Sequence, residues 1–391
     1  MSERHFFDRT YRDDPIAILG QWRDEAAVTH VVTPAGTPTA LVTRYADVRT
    51  LLMDKSLSMN GEQDRARIQG QSPQELPKDL VDSDPPDHTR LRRIVAGAFT
   101  PASLQAFKPR IKEIVRDTLA PLHPGGQADL VSQVATPLPI AVIADFLGFP
   151  RPSAAEVKRL SDVLFLDGVP PAEVSSSIAQ ITQIVSREIA AKRRQTGNDL
   201  LSDLIEAREH RQTLSEAELL SMTTLMLIAA FQNVTHALSS GMQQLLSNPE
   251  QLALLRARPD LAPQAIQEIL RHASPGLFST RRFPTTPVTV QETVIAPGES
   301  LLLSLASANH DPLAFTEPDR FDITRNEAQH LSYGHGIHYC LGAALANIEL
   351  EIAIVELISR FPRLRLADDG HDLVWLNSYK SRGLQNLNVC L

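Results

Sequence analysis

The reactive groups of this 391-residue chain concentrate in one stretch, Tyr333-Gly334-His335-Gly336-Ile337-His338-Tyr339-Cys340-Leu341-Gly342. Gly334 and Gly336 let the backbone turn tightly and approach a flat object without Cβ obstruction. The residues that follow, Ala343-Ala344-Leu345-Ala346-Asn347-Ile348-Glu349, read as a helix. Cys340 therefore stands at a helix N-terminus, where unpaired backbone N–H groups and the positive dipole end favour a thiolate over a thiol. A thiolate can serve as a metal ligand or as a nucleophile. Three chemistries compete: a zinc centre built from His335, His338 and Cys340, a catalytic cysteine with a histidine base, and ligation of a haem iron. Structural zinc draws on four ligands in spaced pairs, and no second pair exists. A glycine-flanked cysteine at a helix start suits the haem best. Cys390, the other of the 2 cysteines, has no constellation around it, and a disulfide scaffold cannot rest on one bridge.

The elements that must position these groups are mostly helical. Ser215-Glu216-Ala217-Glu218 is a capping box, and the apolar run behind it continues through Ser247 to Asn248-Pro249. That spacing predicts a helix of roughly 30 residues, far longer than the usual 11–12. Along it Leu225, Ile228, Ala229, Gln232, Asn233 and His236 recur at three- and four-residue intervals, so an apolar stripe acquires two adjacent amides at its middle. Buried amides need partners. They are either a satisfied core pair or the lining of a cavity. Helix starts are marked at Asp84-Pro85-Pro86-Asp87 and Thr100-Pro101, and breaks at Pro121 to Gly126, Gly148-Phe149-Pro150 and Gly168 to Pro171.

Thr39 to Thr43, Val288-Thr289-Val290, Val294-Ile295 and Leu301 to Leu303 are strand-like, Tyr45 to Met53 is a short helix, and Asn60 to Asp79 reads as a loop. The expected architecture is mainly α with a smaller β-containing part (α+β). One domain spans residues 1–391: the β-containing part comes from about 1–60 and 276–391, the helical body from about 84–275 plus the helix after Cys340.

A formal charge of −8, with 38 Lys+Arg against 46 Asp+Glu, argues against general nucleic-acid affinity, which needs a basic footprint. One segment departs from that balance. Arg90, Arg92, Arg93, Lys108, Arg110, Lys112 and Arg116 face a single acid, Glu113, either as a solvated helix face or as a dock for something anionic. The N-terminus reaches charge at once, without the apolar core of a signal peptide, and no uninterrupted apolar run reaches the length of a membrane span. With so few cysteines, the expected location is the cytoplasm, with no membrane association.

The Tyr333 to Gly342 stretch resembles the haem-binding loop of the cytochrome P450 superfamily, Phe-Gly-x-Gly-x-His/Arg-x-Cys-x-Gly, matching every fixed position but the first, where Tyr333 stands. Further similarities follow in the family's order. Glu268-Ile269-Leu270-Arg271 resembles its Glu-x-x-Arg helix, and Pro318-Asp319-Arg320-Phe321 the segment whose arginine completes an ion network with that helix. Asn309-His310-Asp311-Pro312 and Arg382-Gly383-Leu384 also have bacterial counterparts. The resemblance implies a P450-type fold with the long helix crossing over haem b, Cys340 as axial iron ligand, and Tyr333, Gly334 and Gly342 against the macrocycle. His88 and Arg92 of Asp87-His88-Thr89-Arg90-Leu91-Arg92, together with Arg282 and His338, would hold the propionates. Arg281 is a register-shifted candidate. Substrate walls would come from the Asn60 to Asp79 loop, Leu225, Ile228, the Phe165 to Pro171 turn, Leu277-Phe278-Ser279 and Tyr379 in the Ser378-Tyr379-Lys380 hairpin.

In one place the chain departs from the family. Its long helix usually carries Ala-Gly-x-Asp/Glu-Thr, an acid–alcohol pair that relays protons, whereas here the residues are Ala229-Ala230-Phe231-Gln232-Asn233. A carboxamide hydrogen-bonds but does not exchange a proton at neutral pH. The expected function is oxidation of a small organic molecule in secondary metabolism, with dioxygen and electrons from a separate ferredoxin or flavodoxin and its reductase. Gln232 and Asn233 would orient a polar, peptide-like substrate, and the chemistry would be oxidative C–C or C–N coupling of an aromatic or cyclic-dipeptide substrate. The alternatives are an ordinary hydroxylase or epoxidase with water- or substrate-assisted proton delivery, and a haem sensor without turnover.

Overall fold

In the computed structural model, which describes residues 4–5, 9–60, 79–209, 213–367 and 373–391, proline and hydroxyl caps start helices where the sequence marks them. In chain order the helices used below are α1 (Arg9–Asp13), α2 (Pro15–Glu25), α3 (Tyr45–Leu52), α4 (Asp87–Ala96), α5 (Pro101–Leu119), α6 (Pro137–Leu147), α7 (Arg151–Ser161), α8 (Pro171–Arg194), α9 (Leu200–Glu209), α10 (Glu216–Ser247), α11 (Pro249–Ala257), α12 (Ala262–His272), α13 (Leu305–Asn309) and α14 (Ala343–Arg360). Thr100 Oγ1 accepts from Ser103 N–H ahead of Pro101, and Gly148 closes α6 in the left-handed conformation. Ser215 and Glu218 form both bonds of the predicted capping box, Ser215 N–H to Glu218 Oε2 at 2.7 Å and Glu218 N–H to Ser215 Oγ at 3.1 Å.

Contacts divide the chain into two units, each discontinuous in sequence: Met1–Ser72, Asn248–Cys340 and Trp375–Gly383 in one, Pro73–Ser247, Leu341–Val374 and Leu384–Leu391 in the other. The first holds a four-stranded sheet in the order Arg4–His5 (β1), Val28–Val32 (β2), Pro38–Val42 (β3) and Leu301–Leu303 (β4), in which β2 and β3 pair antiparallel and β3 pairs parallel with β4. Strand β4 is buried at all three positions and β3 at four of five, so both read as near-continuous apolar runs. Val42, Val48, Leu51, Leu303 and Leu331 share one core on this sheet. Helices α11 and α12 cluster here rather than with the helical body in which the sequence reading put them.

The second unit is the helical one and includes α14. It also takes a small three-stranded sheet in the order Arg365–Leu366, Asn388–Cys390, Gln127–Asp129. Its spine is α10, which packs against α6, α7, α8, α9 and α14. By length and composition α10 passes the test for a membrane-crossing helix, but more than half of its most apolar window is buried in the protein, so its apolarity serves the core.

Candidate active site

The Cys340 loop begins as Leu331 leaves the core. Gly334 N–H donates to Leu331 O at 2.7 Å, and Cys340 N–H donates back to Tyr333 O at 2.9 Å, closing the loop on itself. Gly334 and Gly336 adopt φ of +70° and +77°. A Cβ at Gly336 would meet Leu52 O at 2.9 Å, so the loop rests on the end of α3 only because glycine is there. Cys340 is exposed, as is Ile337. A Cβ at Gly342, the N-cap of α14, would meet nothing within 4 Å. Tyr333 stacks edge-on to Tyr339 at 6.0 Å. Among the described residues no three His, Cys, Asp or Glu are arranged to hold a metal ion, which leaves the zinc alternative without a ligand set.

Behind the loop, Arg271 forms a bidentate pair with Glu268 at 2.7 and 2.8 Å, both side chains 2 % exposed. Spacing by itself would give only an ordinary surface pair, whereas the family resemblance implies an ion network here. Burial instead makes it costly to break, and Arg271 Nη1 also donates to Asn309 O (2.9 Å) and Pro318 O (2.7 Å). The third member expected was Arg320, but that side chain is exposed and reaches Glu317 at 3.2 Å. Arg325 takes the place: its Nε donates to Glu268 Oε1 at 3.2 Å and its other nitrogens to Thr316 O, Glu317 O and Arg320 O. Arg320 contributes only its carbonyl because its backbone lies in the turn that Arg271 and Arg325 grip. Asn309 ties this network to the loop, donating to Ser274 Oγ and Ser332 Oγ at 2.8 Å each and accepting from Leu331 N–H at 2.7 Å.

Arg282 is buried, its backbone paired both ways with Leu301 at 2.9 Å, while Arg281 is half-buried; the deeper burial favours Arg282 over its neighbour as an inward cation. His338 lies in the short 3₁₀ turn Gly336–His338. On α4, His88 is buried and Arg92 half-buried. Burial first, and the adjacent Arg92 charge second, hold the His88 imidazole below the usual histidine range. Two cation-capable groups crowded on one face are a receptor for a carboxylate, which would relieve their repulsion. The first unit thus offers an exposed thiol on a glycine loop and a buried guanidinium, and the second unit the His88–Arg92 pair, groups whose chemistry suits an iron ligand and carboxylate partners respectively.

The predicted stripe on α10 divides in two. Leu225 and Ile228 are half-buried, and Ala229 and Asn233 are exposed, on a helix otherwise mostly buried. Gln232 does not join them. It is 5 % exposed, and its Nε2 donates to Asp162 Oδ1 at 2.7 Å. The expectation that Gln232 and Asn233 act as a substrate-orienting pair is thereby corrected: adjacent helical residues point about 100° apart, and Asp162 holds one of them. Leu277 and Phe278, expected as pocket walls, are core residues packed with Tyr11, Leu19 and Trp22. Tyr379 stacks on Phe278 at 6.1 Å from the edge of that core, and half-buried Ser279 bonds Thr280 O. Of the predicted loop Asn60 to Asp79, residues 61–78 lie outside the described residues.

Sequence reading missed Arg325, Asp162 and Lys158. Lys158 and Asp162 stand four residues apart, a readable pair, but the partner at Gln232 is 70 residues away.

A family model described as Cytochrome P450 matches residues 172–370. Cytochrome P450 107B1 of Saccharopolyspora erythraea is 38% identical over 393 residues, covering 98% of this chain and 96% of its own. The chain belongs to the cytochrome P450 family. The P450 monooxygenase PikC of Streptomyces venezuelae is likewise 38% identical, over 96% of this P450 and 91% of PikC. The tirandamycin C-bound P450 monooxygenase TamI superposes with a TM-score of 0.92 at 34% identity, over 99% of both chains. The P450 fold expected from the sequence is therefore present, and this P450 is a monooxygenase-type oxidoreductase that works with small-molecule substrates and redox partner proteins. Its cofactor is haem b.

Proposed function

We propose that this P450 inserts one oxygen atom from dioxygen into a largely apolar organic molecule of bacterial secondary metabolism, as a hydroxylase or epoxidase. The observation that carries this reading is the open face of α10, on which Leu225, Ile228 and Ala229 surround a single amide, Asn233. Such a face excludes water from an apolar substrate and offers one hydrogen-bonding group to fix its orientation. Cys340 is the proposed axial ligand, with Arg282, His338, His88 and Arg92 as propionate partners and Tyr333, Gly334 and Gly342 against the macrocycle. Haem b held by a thiolate accepts electrons singly and supplies the chemistry that cleaves dioxygen. Glu268, Arg271 and Arg325 hold the turn behind Leu331 and so keep the Cys340 sulfur presented. Coupling of two substrate positions is the second reading, favoured by the amide Asn233 where the family usually has a hydroxyl.

The electron donor proposed is a small acidic ferredoxin and its reductase, with the cytoplasm as location. Of the basic segment, Arg110 is engaged by Asp145 at 2.7 Å and Glu113 at 2.8 Å, and Arg90 by Glu218. Arg93 is exposed and makes no ion pair among the described residues, which makes it the stronger docking cation. One reconstitution tests the whole reading: holoenzyme, ferredoxin and reductase under ¹⁸O₂ with apolar polyketides. Product carrying one labelled atom, and slower reduction in Arg93→Glu than in Arg110→Glu, is the expected result. Unlabelled dimers or adducts would transfer the assignment to coupling, and equal reduction rates would remove Arg93 from the docking face. Cys340→Ala should abolish the far-shifted Soret band of the reduced carbon monoxide complex.

A further inference from the structure

A buried polar stripe runs along α10 on the side that faces α7. Gln232, His236 and Ser240 recur every four residues and are 5 %, 2 % and 2 % exposed, so they lie one above another. Neither ring nitrogen of His236 nor the Ser240 hydroxyl has a hydrogen-bond partner among the described residues. At the Gln232 end stands Asp162, the first residue after α7, with its side chain 39% exposed. Its Oδ1 accepts from Gln232 Nε2 at 2.7 Å, and Lys158 Nζ donates to both carboxylate oxygens at 2.7 and 2.9 Å.

The stoichiometry of the reaction demands protons here. Oxygen insertion consumes one RH, one dioxygen, two electrons and two protons, yielding ROH and water; coupling consumes two RH, one dioxygen, two electrons and two protons, yielding R–R and two waters. The electrons come from the redox protein and the protons from solvent. Yet mid-α10 offers no side chain that gives up a proton at neutral pH. Gln232 and Asn233 are amides, Thr235 Oγ1 donates to Ala135 O at 2.9 Å, and burial first, then the Lys158 charge, push His236 down to about 4, so its ring is neutral.

We propose that Asp162 is the proton-delivering carboxylate of this P450, supplied by the turn after α7 and held at the middle of α10 by Gln232. It is partly exposed and so exchanges protons with solvent, and it is hydrogen-bonded to the residue immediately before Asn233 on the open face. Gln232 is then a positioning residue, and its preference for an amide follows: a glutamate there would set two carboxylates 2.7 Å apart.

The test is Asp162→Asn in the holoenzyme, which keeps an acceptor for Gln232 but carries no exchangeable acid. General acid–base groups contribute on the order of 100-fold, so dioxygen-supported product formation should fall at least about tenfold, with electrons diverted to hydrogen peroxide. Turnover driven by added hydrogen peroxide, which brings its own protons, should stay within about twofold, and Asp162→Glu should restore the dioxygen-supported rate. A readout independent of turnover is the infrared difference spectrum on photolysing carbon monoxide from the reduced protein: a carboxylate band present in the wild type should vanish in Asp162→Asn. Unchanged dioxygen-supported turnover, parallel loss of both activities, or identical infrared spectra would each overturn the proposal. If Asp162→Asn fails to fold, Asp162→Ser with added formate replaces it, and absence of rescue by formate counts against Asp162. Because both reactions need two protons, a coupling product would revise the function above without touching this inference.

Discussion

Arg325 and Arg320 lie five residues apart in one irregular segment, yet only one of them contacts Glu268. Breaking a buried pair leaves an uncompensated charge and costs about 3–5 kcal/mol, whereas an exposed charge is worth less than about 0.5 kcal/mol. Arg271→Ala should therefore lower the melting temperature of the holoenzyme most, Arg325→Ala substantially, and Arg320→Ala scarcely at all. Thermal scans of the three variants check the order, and a large effect of Arg320→Ala would restore it to the network. The Glu268–Arg271 half was legible in the sequence because one helical turn sets i and i+3 on one face. The third member was not, since an irregular segment has no period from which side-chain direction can be read.

For elements, Gly336 makes the sharpest demand in the loop. Alanine at Gly336 would have to hold φ +77° and displace Leu52 O, a strain of about 1–3 kcal/mol. Gly336→Ala should lower both the denaturation midpoint and the yield of thiolate-ligated carbon monoxide complex. A midpoint equal to that of the wild type would show that α3 yields to the loop. The long helix was readable from its capping box and apolar run, to within a residue at each end. Its division into an open face and an Asp162-bonded face was not, because periodicity defines stripes but not what stands opposite each one.

At the scale of the whole molecule, buried ionisable groups shape stability against pH from both sides. Glu349 on α14 is pushed up to about 8 by burial, and its Oε1 has no hydrogen-bond partner among the described residues. A folded value above the ordinary 4.5 favours folding fully below that value, and the contribution is lost as pH rises through 8. His236, His272 and His330 are all lowered to about 4, first by burial. Their contribution is present above the ordinary 6.5 and is lost as pH falls through 4. Urea midpoints of the holoenzyme should thus fall on both flanks, and Glu349→Gln should flatten the alkaline flank by a few kcal/mol. An alkaline flank identical in the two proteins would show that Glu349 is ionised throughout.

What the sequence alone determined is whatever depends on short-range chemistry: the glycine-flanked thiol before a helix, the paired charges one turn apart, the caps, the apolar strands and the family they jointly identify. Such features are set by residue type and by a spacing of a few residues, so they can be read without knowing the fold. Only the tertiary structure decided that Arg325 replaces Arg320, that Leu277 and Phe278 are core, and that Gln232 turns from Asn233 to a carboxylate 70 residues away. Those outcomes depend on which distant surface each side chain is packed against, and local spacing carries no information about that.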